Sequence, residues 1–393
     1  MIAATIFILS VLIIAADWFA YRRCVRNCSS WLKWTVIAAL VAMNILPYIA
    51  VAIMRWGDMP NMVPTMWLLT IYTTLVLSRL ALYAGVLFIK NRIVAWSVGV
   101  VLCVAALSVA SVGIFHTRKD LTVKSVEVLS SALPQAFDGY RIALFSDTHF
   151  GAMIDEEKMC EMLVERVNAL DADLVVFGGD LVNVKYDELR PQIAAILSRI
   201  EARDGVVAVL GNHDTGVYAK DTTLLPIEEN SRLLTERIEA MGWRVIDDKT
   251  EYLVCGEDSL TLTGVGFSRE LLEYRHSANV ADSLDLRPLY ERVPSEKFNI
   301  TVSHMPQVWR KVSELGCGDL VLSGHVHSMQ IKGRIGRFEF SPAQLMYKEW
   351  SGLYSEQNNH LYITDGVGSV GFHIRIGAPP EISLITLRHN NKR

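Results

Sequence analysis

The chain has 393 residues, 51% of them hydrophobic, and a formal net charge of −4. That charge gives no case for nucleic acid as an obligatory partner. The positive mean hydropathy, with the apolar residues gathered in the first 120 positions, excludes a wholly soluble protein and marks an integral membrane one.

Four apolar stretches come first, at about residues 2–20, 34–54, 65–89 and 93–115. Each is near the ~20 residues a helix needs to cross a bilayer, so residues 1–120 are expected to form a four-helix transmembrane region. No positive charge precedes the first stretch, and Arg22, Arg23 and Arg26 follow it, which predicts an anchor rather than a cleaved signal peptide. Residues 21–33 carry those arginines and Lys33, and the loop after the third stretch carries Lys90 and Arg92. Between them, residues 55–64 offer only Arg55, countered by Asp58. The positive-inside rule puts the first and third loops in the cytoplasm and the rest of the chain outside the inner membrane, with Arg118, Lys119 and Lys124 arguing weakly against. Asp17 and Arg79 fall inside spans at comparable depth. An unpaired charge there is costly, so they are expected to pair and fix helix packing. Asn44 and Pro47 are expected to mark a kink, and Trp18, Trp31, Trp34, Trp56 and Trp67 fit an interfacial belt.

A boundary falls near residues 116–125, and residues 121–393 are long enough for one sizeable core. Residues 122–129 alternate as a strand does. Helices are expected over 155–170, 191–200 and 227–241. Segments 243–253 and 259–266 read as paired strands across a turn at 255–258. Five further strand-like runs, 141–146, 174–177, 206–210, 299–302 and 320–323, each lead into a polar motif. The motifs are Asp147-Thr148-His149, Gly178-Gly179-Asp180, Gly211-Asn212-His213-Asp214, Ser303-His304 and Gly324-His325-Val326-His327. Hard or borderline divalent cations favour this mixture of carboxylate, imidazole and amide oxygen. Positions just past strand ends gather distant sequence into one cleft. One such motif proves little; five in series after buried strands have no packing rationale. The chemistry they point to is metal-assisted hydrolysis of a phosphoester.

The series resembles the calcineurin-like metallophosphoesterase superfamily over about residues 140–330. The tail, Ile363-Thr364-Asp365-Gly366-Val367-Gly368 with Arg375 and Pro379-Pro380-Glu381-Ile382, is similar to the closing strands of its membrane-attached bacterial branch. The resemblance implies an α/β domain of two facing mixed β-sheets flanked by helices, with two divalent metal ions (Mn, Fe, Zn, Mg or Ni) at one end. It implies a first metal on Asp147, His149, Asp180 and His327, and a second on Asp180, Asn212, His304 and His325. Asp180 would bridge, since a carboxylate has an oxygen for each cation. A water acidified between the metals would attack phosphorus. His213 would contact the phosphate or protonate the leaving oxygen, with Asp214 either orienting its ring or closing an Asx-type turn. Relatives often carry two glycines where this chain has Ser328 and Met329, a departure that bears on substrate fit.

Lys332, Arg334 and Arg337, with Lys348 and Arg375 further on, are expected to line the substrate's phosphate side, unless the first three solvate a strand face. Phe150, Met153, Leu345, Met346, Tyr347 and Trp350 either rim a lipid-facing cleft or pack within loops. Cys24, Cys28, Cys103, Cys160, Cys255 and Cys317 show no metal-type pairing and are expected to be inert thiols. The expected protein is a membrane-anchored phosphoesterase acting on a phosphodiester, a phosphomonoester or a lipid-linked diphosphate. The alternatives are a hydrolase of soluble exported substrates and a sensor domain attached to a functional helix bundle.

Overall fold

The computed structural model describes residues 2–56, 62–219, 226–274, 284–291 and 293–390. Two compact units result, Met1–His116 with Val370–Ile376, and Thr117–Ser369 with Gly377–Arg393.

The first unit holds four helices: α1 (Ile2–Cys24), α2 (Ser30–Trp56), α3 (Val63–Phe88) and α4 (Arg92–Phe115). Among the described residues, three helical stretches are long and apolar enough to cross a membrane: Ser30–Ile53, Val63–Phe88 and Arg92–Lys119. The expected fourth span coincides with α1, which is helical over 23 residues but is not among those three. Asn91 starts α4 by accepting from the backbone N–H of Ile93 and Val94, as an N-cap does. α3 and α4 approach closely, because a side chain at Gly85 would meet the backbone of Gly99. Pro47 lies inside α2 without ending it.

Asp17 and Arg79 do pair, at 3.1 Å, and both are buried. Asn44, expected at a kink, joins them instead, donating to Asp17 at 2.8 Å and accepting from Arg79 at 3.0 Å. The Tyr83 hydroxyl donates to the other Asp17 oxygen at 2.6 Å. Trp18, Trp31 and Trp34 are exposed, whereas Trp67 packs its ring 5.3 Å from His373. In the same segment the His373 N–H donates to Thr70 Oγ1 at 2.8 Å, and the Arg375 N–H to the Gly113 carbonyl at 3.3 Å. Arg375 is fully buried in this unit, not on a solvated phosphate face. Asp58 and the side chains of Arg55 and Trp56 lie outside the described residues.

The second unit is a four-layer sandwich of helices, sheet, sheet and helices. The first sheet runs in the order Thr122–Ser130, Glu381–His389, Arg141–Phe145, Leu174–Phe177, Val206–Ala208, Arg244–Val245. The second runs Gly352–Glu356, Asn359–Ile363, Leu320–Ser323, Asn299–Ser303, Asp258–Val265, Lys249–Cys255. Both mix parallel and antiparallel pairings. Strand alternation builds the layers. Ile142, Leu144 and Val176 of the first sheet meet Leu262, Ile300 and Leu322 of the second in one core. Ala143, Phe145 and Phe177 point the other way, onto helices Glu156–Ala169, Pro191–Leu197 and Ile227–Ala240. Val321 and Ile363 pack on Val308–Glu314.

One expected strand is really two. Residues 243–253 split, with Arg244–Val245 completing the first sheet and Lys249–Cys255 pairing with Asp258–Val265 in the second. The break falls at Asp247 and Asp248, where Asp248 takes φ 52° and the chain leaves one sheet for the other.

Candidate metal centre

The site residues sit just past strands of both sheets, and their backbone is unusual. Five of the seven expected ligands, Asp147, His149, Asp180, His325 and His327, have positive φ. Such conformations cost about 1–3 kcal/mol each and persist where surrounding structure over-determines them. Ser328, Met329 and Gln330 continue the left-handed run after His327, at φ 50°, 45° and 60°. Ser328 and Met329 thus stand where glycine would be unstrained. The strain at Ser328 is offset in part, because its hydroxyl donates to Asp365 Oδ1 and its carbonyl accepts from the Ser341 hydroxyl at 2.6 Å.

The structure brings all seven together. His149 Nε2 and His327 Nε2 are 3.1 Å apart, and His327 Nε2 is 3.1 Å from Asp147 Oδ1. His304 Nε2 is 3.1 Å from Asn212 Oδ1, 3.1 Å from Asp180 Oδ2 and 3.2 Å from His325 Nδ1. Asp147, His149 and His327 form one cluster able to hold a metal ion, and Asp180, His304 and His325 another. A third cluster, His149, Asp180 and His213, overlaps both. Donors bonded at ~2.1 Å to one ion lie about 3 Å apart when their bonds are at right angles. These separations fit that spacing, and the nitrogens and oxygens converge. His149 is fully buried and its Nδ1 has no hydrogen-bond partner.

The electrostatics favour a cation. Burial would push the Asp147 carboxyl up, but His327 beside it outweighs that and holds it below the usual range. Asp180 is likewise held down against burial by His304 and His213. Burial lowers His304, yet Asp180 and Asp147 bring it up to about 9. A proton is the smallest cation this cluster attracts, and the same field serves a divalent ion. Burial, followed by the charge of His213, keeps His149 well below its ordinary value, so it offers a lone pair.

His213 sits differently. Its Nδ1 lies 2.6 Å from the Asn183 carbonyl, which can only accept, so Nδ1 carries the proton and Nε2 is left to act. Asp214 does not touch that ring. Its carboxylate accepts from the backbone N–H groups of Asp180, Leu181, Val182 and Gly211 at 2.7 to 3.0 Å. Burial and the Asp180 charge push Asp214 up to about 8, against those amides. Neither expected role matches this geometry: the Asp214 carboxylate ties the Asp180 loop to the Asn212 loop, and the Asn183 carbonyl holds the His213 ring.

Three groups outside the five polar motifs border the site. The Tyr218 hydroxyl accepts from Asn212 Nδ2 at 2.9 Å, and its ring lies 4.4 Å from that of His213. The Tyr347 hydroxyl is 3.3 Å from His325 Nε2, behind the nitrogen that faces His304. Below His327, Asp365 pairs with Lys124 at 2.9 Å and with Lys332 at 3.6 Å, while Lys124 also meets Glu381. Burial raises the Asp365 carboxyl, but Lys124 and Lys332 hold it at about 2. Gly366 passes so close that a Cβ there would meet Asp147 and His327. Phe150, Met153, Tyr347 and Trp350 are buried, so they pack within loops instead of rimming a cleft, and Leu345 is 88% exposed. All six cysteines are free, with Cys160 and Cys317 buried.

Residues 140–329 match the family model for calcineurin-like phosphoesterase. A metallophosphoesterase of Bacillus subtilis (strain 168), YkuE, is 27% identical over 270 residues, covering 67% of this chain and 84% of the relative. A transmembrane protein with metallophosphoesterase domain from Bos taurus is 29% identical over 287 residues, covering 70% of this chain and 59% of the relative. A metallophosphoesterase of Helicobacter pylori (strain ATCC 700392 / 26695) is 27% identical over 256 residues, covering 64% and 60%. The match therefore leaves more than a third of the bovine and Helicobacter relatives' own length outside it. Residues 140–329 of the second unit form a calcineurin-like phosphoesterase domain. The chain carries a metal-dependent phosphoesterase domain, and its other unit holds helices of membrane-spanning character.

Proposed function

We propose that the second unit holds two divalent cations and hydrolyses a phosphoester carried by, or close to, the membrane. One cation would sit on Asp147, His149, Asp180 and His327, and the other on Asp180, Asn212, His304 and His325. The observation that carries this reading is Asp180. Its Oδ2 lies 3.1 Å from His304 and 3.8 Å from His149, so one carboxylate reaches both ligand groups. Bound divalent cations polarise a phosphoryl oxygen and lower the pKa of a neighbouring water. The chain supplies the rest. Asp214 and Glu188 order the loops around the site through backbone amides, Asn183 fixes the His213 ring, and His213 Nε2 would contact the phosphate, or protonate the leaving oxygen once it too carries a proton alongside the Nδ1–H held by Asn183.

The catalytic unit is proposed to face outward from the inner membrane. With loop 21–33 in the cytoplasm, crossings by α2, α3 and α4 leave the chain beyond α4 on the far side, whether or not α1 also crosses. That side favours a phospholipid or lipid-linked diphosphate over a cytoplasmic substrate. The test is turnover by the purified full-length chain, after metal stripping and add-back, on a chromogenic diester, a chromogenic monoester and a lipid-linked diphosphate. Metal-dependent release from the lipid-linked member at the highest rate is expected. A chromogenic monoester hydrolysed much faster than either other member would contradict the membrane-borne substrate.

A further inference from the structure

We infer that the hairpin formed by Gly333–Ile335 and Phe338–Phe340, with Leu345 beside it, inserts into an anionic membrane surface and holds the catalytic unit against the bilayer. The two strands pair only with each other and join neither six-stranded sheet. A lone two-stranded hairpin is marginal in water unless something covers its apolar side. This one instead presents that side to solvent. Ile335 is 72% exposed, Phe338 81%, Phe340 48% and Leu345 88%. Elsewhere in this unit the described exposed large apolar residues are Val123, Leu129, Tyr252, Val254 and Leu353, of which Tyr252 and Val254 share one strand face. Four large apolar side chains within eleven positions form a patch that calls for a partner.

Charge points to which partner. Arg334 and Arg337 are exposed on the hairpin, and neither meets a carboxylate within ion-pair distance among the described residues. Arg334 Nε donates only to the Gly336 carbonyl, at 3.0 Å. Lys348 is exposed nearby, and Glu339 is engaged by Lys332 at 3.5 Å. Aromatic and aliphatic tips ringed by unpaired arginines suit the boundary between anionic headgroups and acyl chains. A bilayer is in reach, because the same chain carries helices long and apolar enough to span one.

The hairpin is rooted at the metal site. Its first strand begins just after the left-handed run ending at Gln330, and Ser341, just past its second strand, donates to the Ser328 carbonyl. Tyr347, two residues beyond Leu345, contacts His325. Insertion of the tip would set the ligand His327 near the headgroup plane, where a lipid phosphoester lies. This last step rests on the proposed phosphoesterase reading; the insertion itself does not.

The test uses the full-length chain in nanodiscs, with an environment-sensitive fluorescent amino acid incorporated at position 338. Quenching by lipid-borne spin labels, shielding from iodide, and growth of both with the phosphatidylglycerol fraction are expected. Arg334→Glu with Arg337→Glu should abolish that dependence on anionic lipid. Ile335→Ser, Phe338→Ser and Phe340→Ser together should lower turnover of a bilayer-borne phosphoester at least ~10-fold, leaving a water-soluble diester within about twofold. A probe open to iodide and untouched by lipid quenchers would overturn the inference. So would a probe shielded from both and cross-linked to a second copy, or equal loss of soluble-diester turnover in the serine variant. A lipid-quenched probe without any turnover of lipid phosphoester would uphold the hairpin's role while removing the lipid-substrate reading.

Discussion

In the helix unit, Asp17 is buried beside Arg79, Asn44 and Tyr83, and its charge is met by a guanidinium within the same unit. In the catalytic unit, Asp147 and Asp180 are buried among His149, His304, His325 and His327, with no lysine or arginine paired to them among the described residues. The same problem, a carboxylate removed from water, is solved in two ways. The first network closes on itself and holds helices together, as a single ion pair inside a membrane region does. The second is left with surplus negative charge and converging lone pairs, which only an added cation satisfies. Burial of an acid therefore does not identify function; whether the protein supplies the counter-charge does.

Asp180→Asn should produce the largest effect. Losing the shared oxygen should deplete metal from both groups together and cut turnover by more than the roughly 10–100-fold typical of residues that only support a ligand. Elemental analysis of the purified variant checks this, and two tightly held metals would end the bridging assignment. His213→Ala should lower turnover ~10²–10⁴-fold with metal content unchanged, as for a lost general acid. Loss of metal as well would make it a ligand, as its overlapping cluster with His149 and Asp180 allows. Asp365→Asn should cost about tenfold in turnover or metal affinity, because it loosens Ser328 and with it His327. Rates at the wild-type level would show the left-handed run holds without it.

The smallest effect on catalysis is expected in the helix unit. Arg79→Met should destabilise the unit by about 3–5 kcal/mol by stranding Asp17, and adding Asp17→Asn should recover most of it, read by thermal unfolding in detergent. Turnover of a soluble diester should stay unchanged in the double variant. Its loss would break the comparison, since the helix network would then take part in the chemistry.

Much of the fold was legible because buried strands leave short apolar runs. The runs at 174–177 and 320–323 coincide with strands Leu174–Phe177 and Leu320–Ser323. The candidate ligands stood out because few other roles explain histidines and aspartates at those positions. What escaped has physical reasons. Asn183 acts through its carbonyl, which every residue possesses, so no side chain announced it. Lys124 and Asp365 are 241 residues apart and meet where the chain after Asn359–Ile363 bonds to Glu381, whose strand lies parallel to Thr122–Ser130. Tyr218 and Tyr347 carry no motif. The left-handed turn did leave a trace: Ser328 and Met329 stand where relatives often carry glycine, and backbone conformation is what glycine reports. The exposed hairpin was half-legible, since Arg334 and Arg337 stand out in the sequence as charge and Leu345 as a rim candidate, while Ile335, Phe338 and Phe340 do not.

The central claim is that the catalytic unit's buried acids are balanced by metal. The most direct measurement is metal content per chain of the purified full-length protein, followed through stripping and add-back alongside diester turnover. Two divalent ions per chain are predicted, with turnover lost as they leave and restored as they return. Full turnover after complete stripping, or a single ion that restores it entirely, would contradict the account.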